Sequence, residues 1–434
     1  MAWLTLGTFC AGLLACILLD APILYALAFG LALFLLYGRR QGFSWRELGK
    51  MTVDGALTVK NILITFVLIG VLTALWRAAG TIPVIVCYAS ALIRPSVYLL
   101  MTFLLNCGVS VLTGTSFGTG ATMGVICATM GVAMGFDLRL IGGAVLSGVY
   151  FGDRSSPVST SALLVAELTR TDIFDNLRRM VRTALVPFLV SCAIFAALGA
   201  SGAQGGSAPD LRSVFERGFT LHWAALLPAA VILLLSALRV NVKLAMLSSI
   251  VTAVPLCLAV QRVAPGELLR VALTGYRAAD PELAAMLNGG GVTSMLRVGG
   301  IVCLSASYSG IFRKTGLLDG AKRAIEALAE RTTPYAAMLC TAIVGGMVAC
   351  NQSLDTILTH QLCLGLKRDD SDYALDLEDT AIIVAPLIPW SIAGGVPLSA
   401  VGAPMSAIWF AVYLYLLPLW RLGLSFLKQE KPTA

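Results

Sequence analysis

From Ser96 to Gly135 the chain reads SVYLLMTFLLNCGVSVLTGTSFGTGATMGVICATMGVAMG, without one Asp, Glu, Lys or Arg. A membrane helix needs about 20 apolar residues, so this run is long enough for two crossings. At its middle, Thr113-Gly114-Thr115-Ser116-Phe117-Gly118-Thr119-Gly120 crowds glycines and hydroxyls where a plain apolar helix would carry Leu or Val. The stretch therefore predicts membrane helices interrupted inside their charge-free region. Thr380 to Trp420 is a second run of the same length class.

Working outward, shorter charge-free runs fall at Asn61–Trp76, Thr183–Ser201, Gly218–Leu238, Leu244–Gln261, Val298–Phe312 and Thr332–Leu354. Met1–Leu36 holds only Asp20, between two apolar runs, and reads as a helical hairpin. No basic stretch precedes its first run, so a cleaved signal peptide is not expected. Together these give about 12–14 crossings at membrane-helix length. Composition agrees: 58% of residues are hydrophobic and 13% charged, against about 45–50% and about 25% in soluble domains. The fold class is all-α, a polytopic membrane protein whose first partner is the lipid bilayer.

Eleven cysteines lie mostly inside apolar runs (Cys10, Cys16, Cys107, Cys127, Cys192, Cys257, Cys303), where Cys behaves as a small hydrophobe. No CxxC spacing occurs, so neither a cofactor nor a redox metal site is expected. The net charge of +7 comes from loop clusters rather than a basic face on a soluble domain, which argues against nucleic acid. Those clusters are Arg39, Arg40, Arg46 and Lys50; Arg170, Arg178, Arg179 and Arg182; Arg239 and Lys243; Arg313, Lys314, Lys322, Arg323 and Arg331; Lys367 and Arg368; and Lys428 and Lys431. Threading the helices in order puts all of them on one side. Basic loops favour the cytoplasm, so both termini are expected inside a prokaryotic plasma or inner membrane.

A weak internal repeat runs at an offset of about 236 residues. Trp76-Arg77-Ala78-Ala79-Gly80 resembles Phe312-Arg313-Lys314-Thr315-Gly316; Thr115-Ser116 falls against Asn351-Gln352, and Pro157-Val158-Ser159 against Pro389-Trp390-Ser391. The loop after Arg77 threads outside and its counterpart after Arg313 inside, so the halves are inverted. They are expected over 1–200, with the N-terminal hairpin, and 218–434, joined through 201–217 with the Gly/Ser-rich stretch Gly199–Pro209. Inverted halves suit a secondary transporter, because exchanging their conformations opens either side.

Sites in such proteins lie where helices break near the midplane. Beside Thr115-Ser116, three more breaks stand out: Gly152-Asp153-Arg154-Ser155-Ser156-Pro157-Val158-Ser159-Thr160-Ser161; Cys350-Asn351-Gln352-Ser353-Leu354-Asp355-Thr356; and Leu377-Glu378-Asp379 followed by Pro386, Pro389-Trp390-Ser391 and Gly394-Gly395. Glycine and serine in membrane helices also serve plain close packing. An ionisable residue at depth is costly and points to function, which singles out Asp153 and Asp355. The bland alternatives are that Asp153 pairs with Arg154, that Asp355 bonds a neighbouring helix, and that Glu378 and Asp379 start a solvated helix. His222 and His360 sit near helix ends and read as interfacial.

At these residues the sequence resembles NhaC-type Na+/H+ antiporters of the ion transporter superfamily. Gly143 to Ser159, Thr171 to Met180, and Leu377-Glu378-Asp379-Thr380 with Pro386-Leu387-Ile388-Pro389-Trp390 carry the likeness, which spans Gly70 to Leu417. The resemblance implies a cation-coupled transporter exchanging Na+ for H+, or a small solute against one of them. Two positions depart from the family pattern: Thr160 and Asn351 stand where it tends to have acids. That makes an amino-acid or small organic-acid carrier with a neutral site the alternative.

The expected site comprises Asp153, Ser156, Ser159, Thr160, Thr115, Ser116, Asn351, Gln352, Asp355, Glu378, Asp379 and Ser391, with Asp153 and Ser156 as Na+ ligands and Na+ or H+ as the coupling ion. A small cation or small organic solute is the expected cargo, and a homodimer is left open. An intramembrane hydrolase is disfavoured because no Ser–His pair, HExxH or paired GxGD aspartates are present. No filter repeat suggests a channel, and no P-loop suggests a primary pump.

Overall fold

The computed structural model describes residues 2–427 apart from 20–21, 58, 91–93, 158, 203–210, 239, 316–320 and 367–368. Asp20, Val158, Arg239, Gly316, Lys367, Arg368, Lys428 and Lys431, used in the sequence reading, lie outside the described residues, as does most of the Gly/Ser-rich stretch. Among the described residues the chain is helical throughout, with one isolated bridge between Tyr276 and Gly289.

An N-terminal pair, α1 (Ala2–Leu18) and α2 (Ile23–Arg40), is followed by α3 (Trp45–Leu57) and α4 (Lys60–Ala78). Next come α5 (Tyr98–Thr113), α6 (Ser116–Ala133, with a π turn over Gly120–Gly124), α7 (Leu138–Ser155), α8 (Thr160–Thr169) and α9 (Ile173–Gly202). The second part carries α10 (Val242–Pro255), α11 (Leu296–Thr315), α12 (Pro334–Ala349), α13 (Gln352–Cys363), α14 (Asp370–Leu377), α15 (Ile392–Val401) and α16 (Val412–Leu427). Further helices connect them, among them Leu227–Ala237 and Ala321–Arg331.

Among the described residues five segments are long and apolar enough to cross a bilayer: Lys60–Ala78, Pro95–Thr113, Ser116–Ala133, Ile173–Ser201 and Val242–Val260. A sixth forms if Asp370–Leu387 and Ile392–Val401, bent by 53°, count as one broken span. The surface confirms the setting. On α9 Val181, Leu185 and Leu189, four residues apart, are all exposed while Met180, Ala184 and Ser191 are buried. An apolar stripe facing outward along a whole helix needs hydrocarbon against it.

The breaks read from the sequence interrupt two of the charge-free runs. Thr332–Leu354 divides at Cys350. Thr380–Trp420 is not two simple crossings but a π turn, a 3-10 turn, α15, a second 3-10 segment at Met405–Phe410 and then α16. Pro386, Pro389 and Pro404 lack the backbone donor that a continuous helix requires. Conversely, Gly199 to Gly202, read as the start of a linker, belong to α9, and Leu211–Glu216 is helical too.

Small residues set the closest approaches. A Cβ on Gly152 would stand 2.3 Å from the Ser110 Cβ, and one on Gly148 2.6 Å from the Asn106 Cβ, so α7 lies directly on α5. Likewise Gly55 of α3 and Gly310 of α11 face each other's backbones. Phe9 and Phe34 of the N-terminal pair pack with Tyr308 of α11 at ring distances of 5.1–5.7 Å. The N-terminal hairpin thus docks on α11 of the second part of the chain as well as on α3, whose Leu48 packs at Gly38.

Candidate functional site

Two helix breaks share one local geometry. At the end of α5, Gly114 turns left-handed (φ 63°), and Thr115 caps α6 by accepting from the Gly118 amide at 3.3 Å. At the end of α12, Cys350 does the same (φ 55°), and Asn351 caps α13 by accepting from Ser353 and Leu354 at 2.9 and 3.3 Å. Positive φ at a non-glycine residue is strained, so Cys350 marks an over-determined position. Its carbonyl accepts from the Ile392 amide at 3.0 Å, beside the Ser391 cap of α15. Tyr150 ties α7 to the same helix through the Ala393 carbonyl at 2.7 Å.

Asp153 stands near the end of α7, buried, where three helix starts converge. Its Oδ1 accepts from Ser159 at 3.1 Å, and its Oδ2 accepts from Ser161 at 2.8 Å and from Gln352 Nε2 at 3.2 Å. The backbone amide of Ser116, first residue of α6, also faces this carboxylate. Ser159 caps α8 and Gln352 opens α13. Helix starts present partial positive charge, so the carboxylate is held by dipoles and neutral donors alone. Gln352 further donates to the Ile382 carbonyl at 3.2 Å, linking Asp153 to the π turn Glu378–Ile382.

The neighbouring arginine does not pair with Asp153. Arg154 donates to Asp379, with both side chains fully buried, and to the Thr183 hydroxyl at 3.0 Å. On the far side of Asp379, Arg421 of α16 stands 2.8 Å from Oδ2, an ion pair without an aligned hydrogen bond, and reaches Asp376 at 2.6 Å. Arg421 also lies over the Tyr335 ring at 5.5 Å. Two guanidinium groups and two carboxylates balance, as buried charges must. Arg77, a further buried guanidinium, lies apart on α4 with the Thr73 carbonyl as acceptor.

Three buried acids remain outside that balance. Besides Asp153 they are Glu378 and Asp355, each with no exposed surface. Neither Glu378 oxygen has a hydrogen-bond partner among the described residues, and the group is within electrostatic reach of Asp153, Arg154 and Asp379. Among the described residues Asp355 accepts only from Thr359, at 3.2 Å. A bare buried carboxylate is costly, so each needs a proton or a cation.

The structure thus gathers Asp153, Ser159, Ser116 and Gln352, with Glu378 nearby. Thr115, Asn351 and Ser391 act as helix caps around the cluster. Ser156 donates to the Val111 carbonyl at 2.6 Å, clamping α7 to α5 rather than reaching Asp153. Thr160 is exposed at the head of α8. Asp379 serves the ion-pair network. Sequence reasoning missed Ser161, Arg421 and Asp376; a single Arg inside the otherwise uncharged Val412–Leu427 was the available signal for the second. Of the histidines, His222 caps a short helix through Nδ1, and His360 packs on Tyr373.

The sequence model of the Na+/H+ antiporter family matches residues 148–428, which contain every member of the Asp153 cluster except Ser116. The chain is 29% identical over 403 residues to the Na+/H+ antiporter NhaC of Bacillus subtilis strain 168, covering 89% of this chain and 88% of that one. It is 27% identical over 403 residues to the malate-2H+/Na+-lactate antiporter of the same strain, covering 89% and 86%. Over 409 residues it is 27% identical to the arginine/ornithine antiporter ArcD of Halobacterium salinarum, covering 89% and 82%.

Proposed function

Because the chain belongs to the Na+/H+ antiporter family and is therefore a secondary transporter, not an enzyme, we propose that it exchanges Na+ for H+ by alternating access at the Asp153 cluster. The observation that carries this reading is one buried carboxylate held by hydroxyls and an amide, with no cation beside it. Hydroxyls suit both states. They donate to the bare carboxylate and can turn their lone pairs to a bound Na+. A proton on Asp153 excludes Na+ and Na+ excludes the proton, and that competition at one group couples the two fluxes. Among the described residues no three His, Cys, Asp or Glu side chains gather as a metal-binding group, which suits a monovalent ion better than a divalent one.

The two departures from the family pattern bear less on the ion than the sequence suggests. Thr160 is exposed and makes no described bond to Asp153. Asn351 spends its side-chain oxygen on capping α13, a task Asn and Asp perform about equally. Arg154, committed to Asp379, offers no free cation for a solute carboxylate. These points favour a small cation over an organic solute.

The architecture behind this reading is two inverted halves, 1–200 and 218–434 joined through 201–217, with 12–14 crossings counted at about 20 residues each, both termini cytoplasmic, in a prokaryotic cell membrane. The paired breaks at Gly114–Thr115 and Cys350–Asn351 support it, since they stand 236 residues apart (351 minus 115) with one geometry. The test is flux in proteoliposomes under an imposed proton gradient, with Na+, Li+ and a panel of amino and hydroxy acids. Proton movement driven by Na+ alone is expected. Proton movement that requires an organic solute would replace this reading with a solute carrier.

A further inference from the structure

Asp355 lies one turn along α13 from Gln352, about 4.5 Å of helix rise away. Its Oδ1 accepts from Thr359 at 3.2 Å, and its Oδ2 has no hydrogen-bond partner among the described residues. The carboxyl presses on α12 at a glycine pair. A Cβ on Gly345 would stand 2.5 Å from Oδ1, and one on Gly346 3.1 Å from Oδ2. Consecutive glycines therefore make the space the carboxyl fills and leave none beyond it.

No charge answers it. The 16 residues of α12 carry no ionisable group but Tyr335 and Cys340. Cys363 faces Asp355 from α13 itself, and Ile388 closes the glycine pair from the turn before α15. Glu378 and Asp379 on the packed π turn, Asp376 on α14, Glu167 on α8 and the described charges of Ala321–Arg331 form no hydrogen bond or ion pair with it. Glu326 of that helix points to Gly365.

We propose that Asp355 is a second cation site that takes a proton only, separate from the Asp153 cluster and loaded once per transport cycle. The inference rests on the antiport reading above. Hard metal cations gather about six oxygen ligands, whereas this pocket offers a carboxyl, one hydroxyl and glycine Cα atoms. A proton is the cation that fits. Buried as described, the carboxyl holds the proton. When α13 moves about the left-handed Cys350 break and opens to water, the proton leaves to that side and the carboxylate is solvated. Asp153 exchanges one Na+ for one H+; Asp355 adds a further H+ in the proton direction. Each cycle then moves net charge.

The test uses the full chain in proteoliposomes, with radioactive Na+ flux and a pH dye read at clamped membrane potentials. The wild type is expected to respond to potential. Asp355→Asn is expected to keep Na+/Na+ counterflow, lower the H+ to Na+ ratio by about half and lose the response to potential. An unchanged ratio and unchanged response in that variant overturn the proposal. If Asp355→Asn does not fold, Thr359→Val decides. Removing the only donor to the carboxylate favours its protonated form, so the flux–pH profile shifts to higher pH; an unmoved profile overturns the proposal. Failure of the antiport reading looks different, because proton movement by the wild type would then require an organic solute.

Discussion

Arg154 of α7 and Asp379 of the π turn after α14 form an ion pair with no exposed surface on either side chain, 225 residues apart in sequence. The pair joins the two helix-break regions and leaves Asp153 without a cationic neighbour. Removing one partner of a buried pair strands the other charge, at a cost of about 3–5 kcal/mol. Arg154→Met or Asp379→Leu alone should therefore sharply lower the melting temperature in detergent. The double variant Arg154→Met/Asp379→Leu should regain most of the loss, since an apolar pair leaves no stranded charge. Single variants as stable as the wild type would show that the pair contributes nothing.

The two serines on Asp153 should differ from Ser156. Hydrogen bonds to a charged group are worth about 1.5–3 kcal/mol. Ser159→Ala and Ser161→Ala should each raise the apparent KM for Na+ at least about tenfold, with Ser161→Thr restoring it. Ser156→Ala, which loses the bond to the Val111 carbonyl, should act on stability and leave the Na+ KM near wild type. A Ser161→Ala variant with unaltered Na+ KM would remove that hydroxyl from the site.

Competition at Asp153 fixes a sign for pH. Protons occupy the same carboxylate as Na+, so the apparent KM for Na+ should rise as pH falls and level off at higher pH. Asp153→Asn has no carboxylate there, so coupled exchange should be lost with folding intact. Measuring Na+ flux from pH 6 to 9 in liposomes checks this; a pH-independent KM in the wild type contradicts the shared site.

The residues that depart from the family pattern should tolerate acids. Asn351→Asp preserves the cap on α13 and should retain transport, whereas Asn351→Ala should cost about 0.5–2 kcal/mol in stability. Thr160→Glu, on an exposed position, should neither raise nor redirect transport. A gain of Na+ affinity in Thr160→Glu would place that side chain in the path after all.

Those two positions also show what a sequence can and cannot say here. The breaks at Gly114–Thr115 and Cys350–Asn351 were legible, because glycine, hydroxyls and amides inside a charge-free run are local signals. So was the depth of Asp153. The partner of Arg154 was not, since no local rule connects residues 154 and 379. Nor was the phase of α8: successive helical residues point about 100° apart, so Thr160 faces out and Ser161 in. That phase is set by the Ser159 cap and the packing of α8, not by composition. Arg421 and Asp376 are half-hidden for the same reason, each ordinary alone and meaningful only beside Asp379.

Glu378 supplies the last prediction. It is fully buried on the π turn, with both oxygens unpartnered among the described residues and Asp153 within electrostatic reach. In the absence of Na+ such a carboxyl is satisfied by a proton. When Na+ binds at Asp153, its positive charge lowers the cost of ionising Glu378, so part of the proton released on Na+ binding should come from this side chain. Glu378→Gln keeps the shape and removes the titration. It should fold at least as well as the wild type, bind Na+, and release measurably fewer protons per Na+ bound in weakly buffered detergent solution. Equal proton release in wild type and Glu378→Gln would assign the whole of it to Asp153 and leave Glu378 a permanently neutral part of the core.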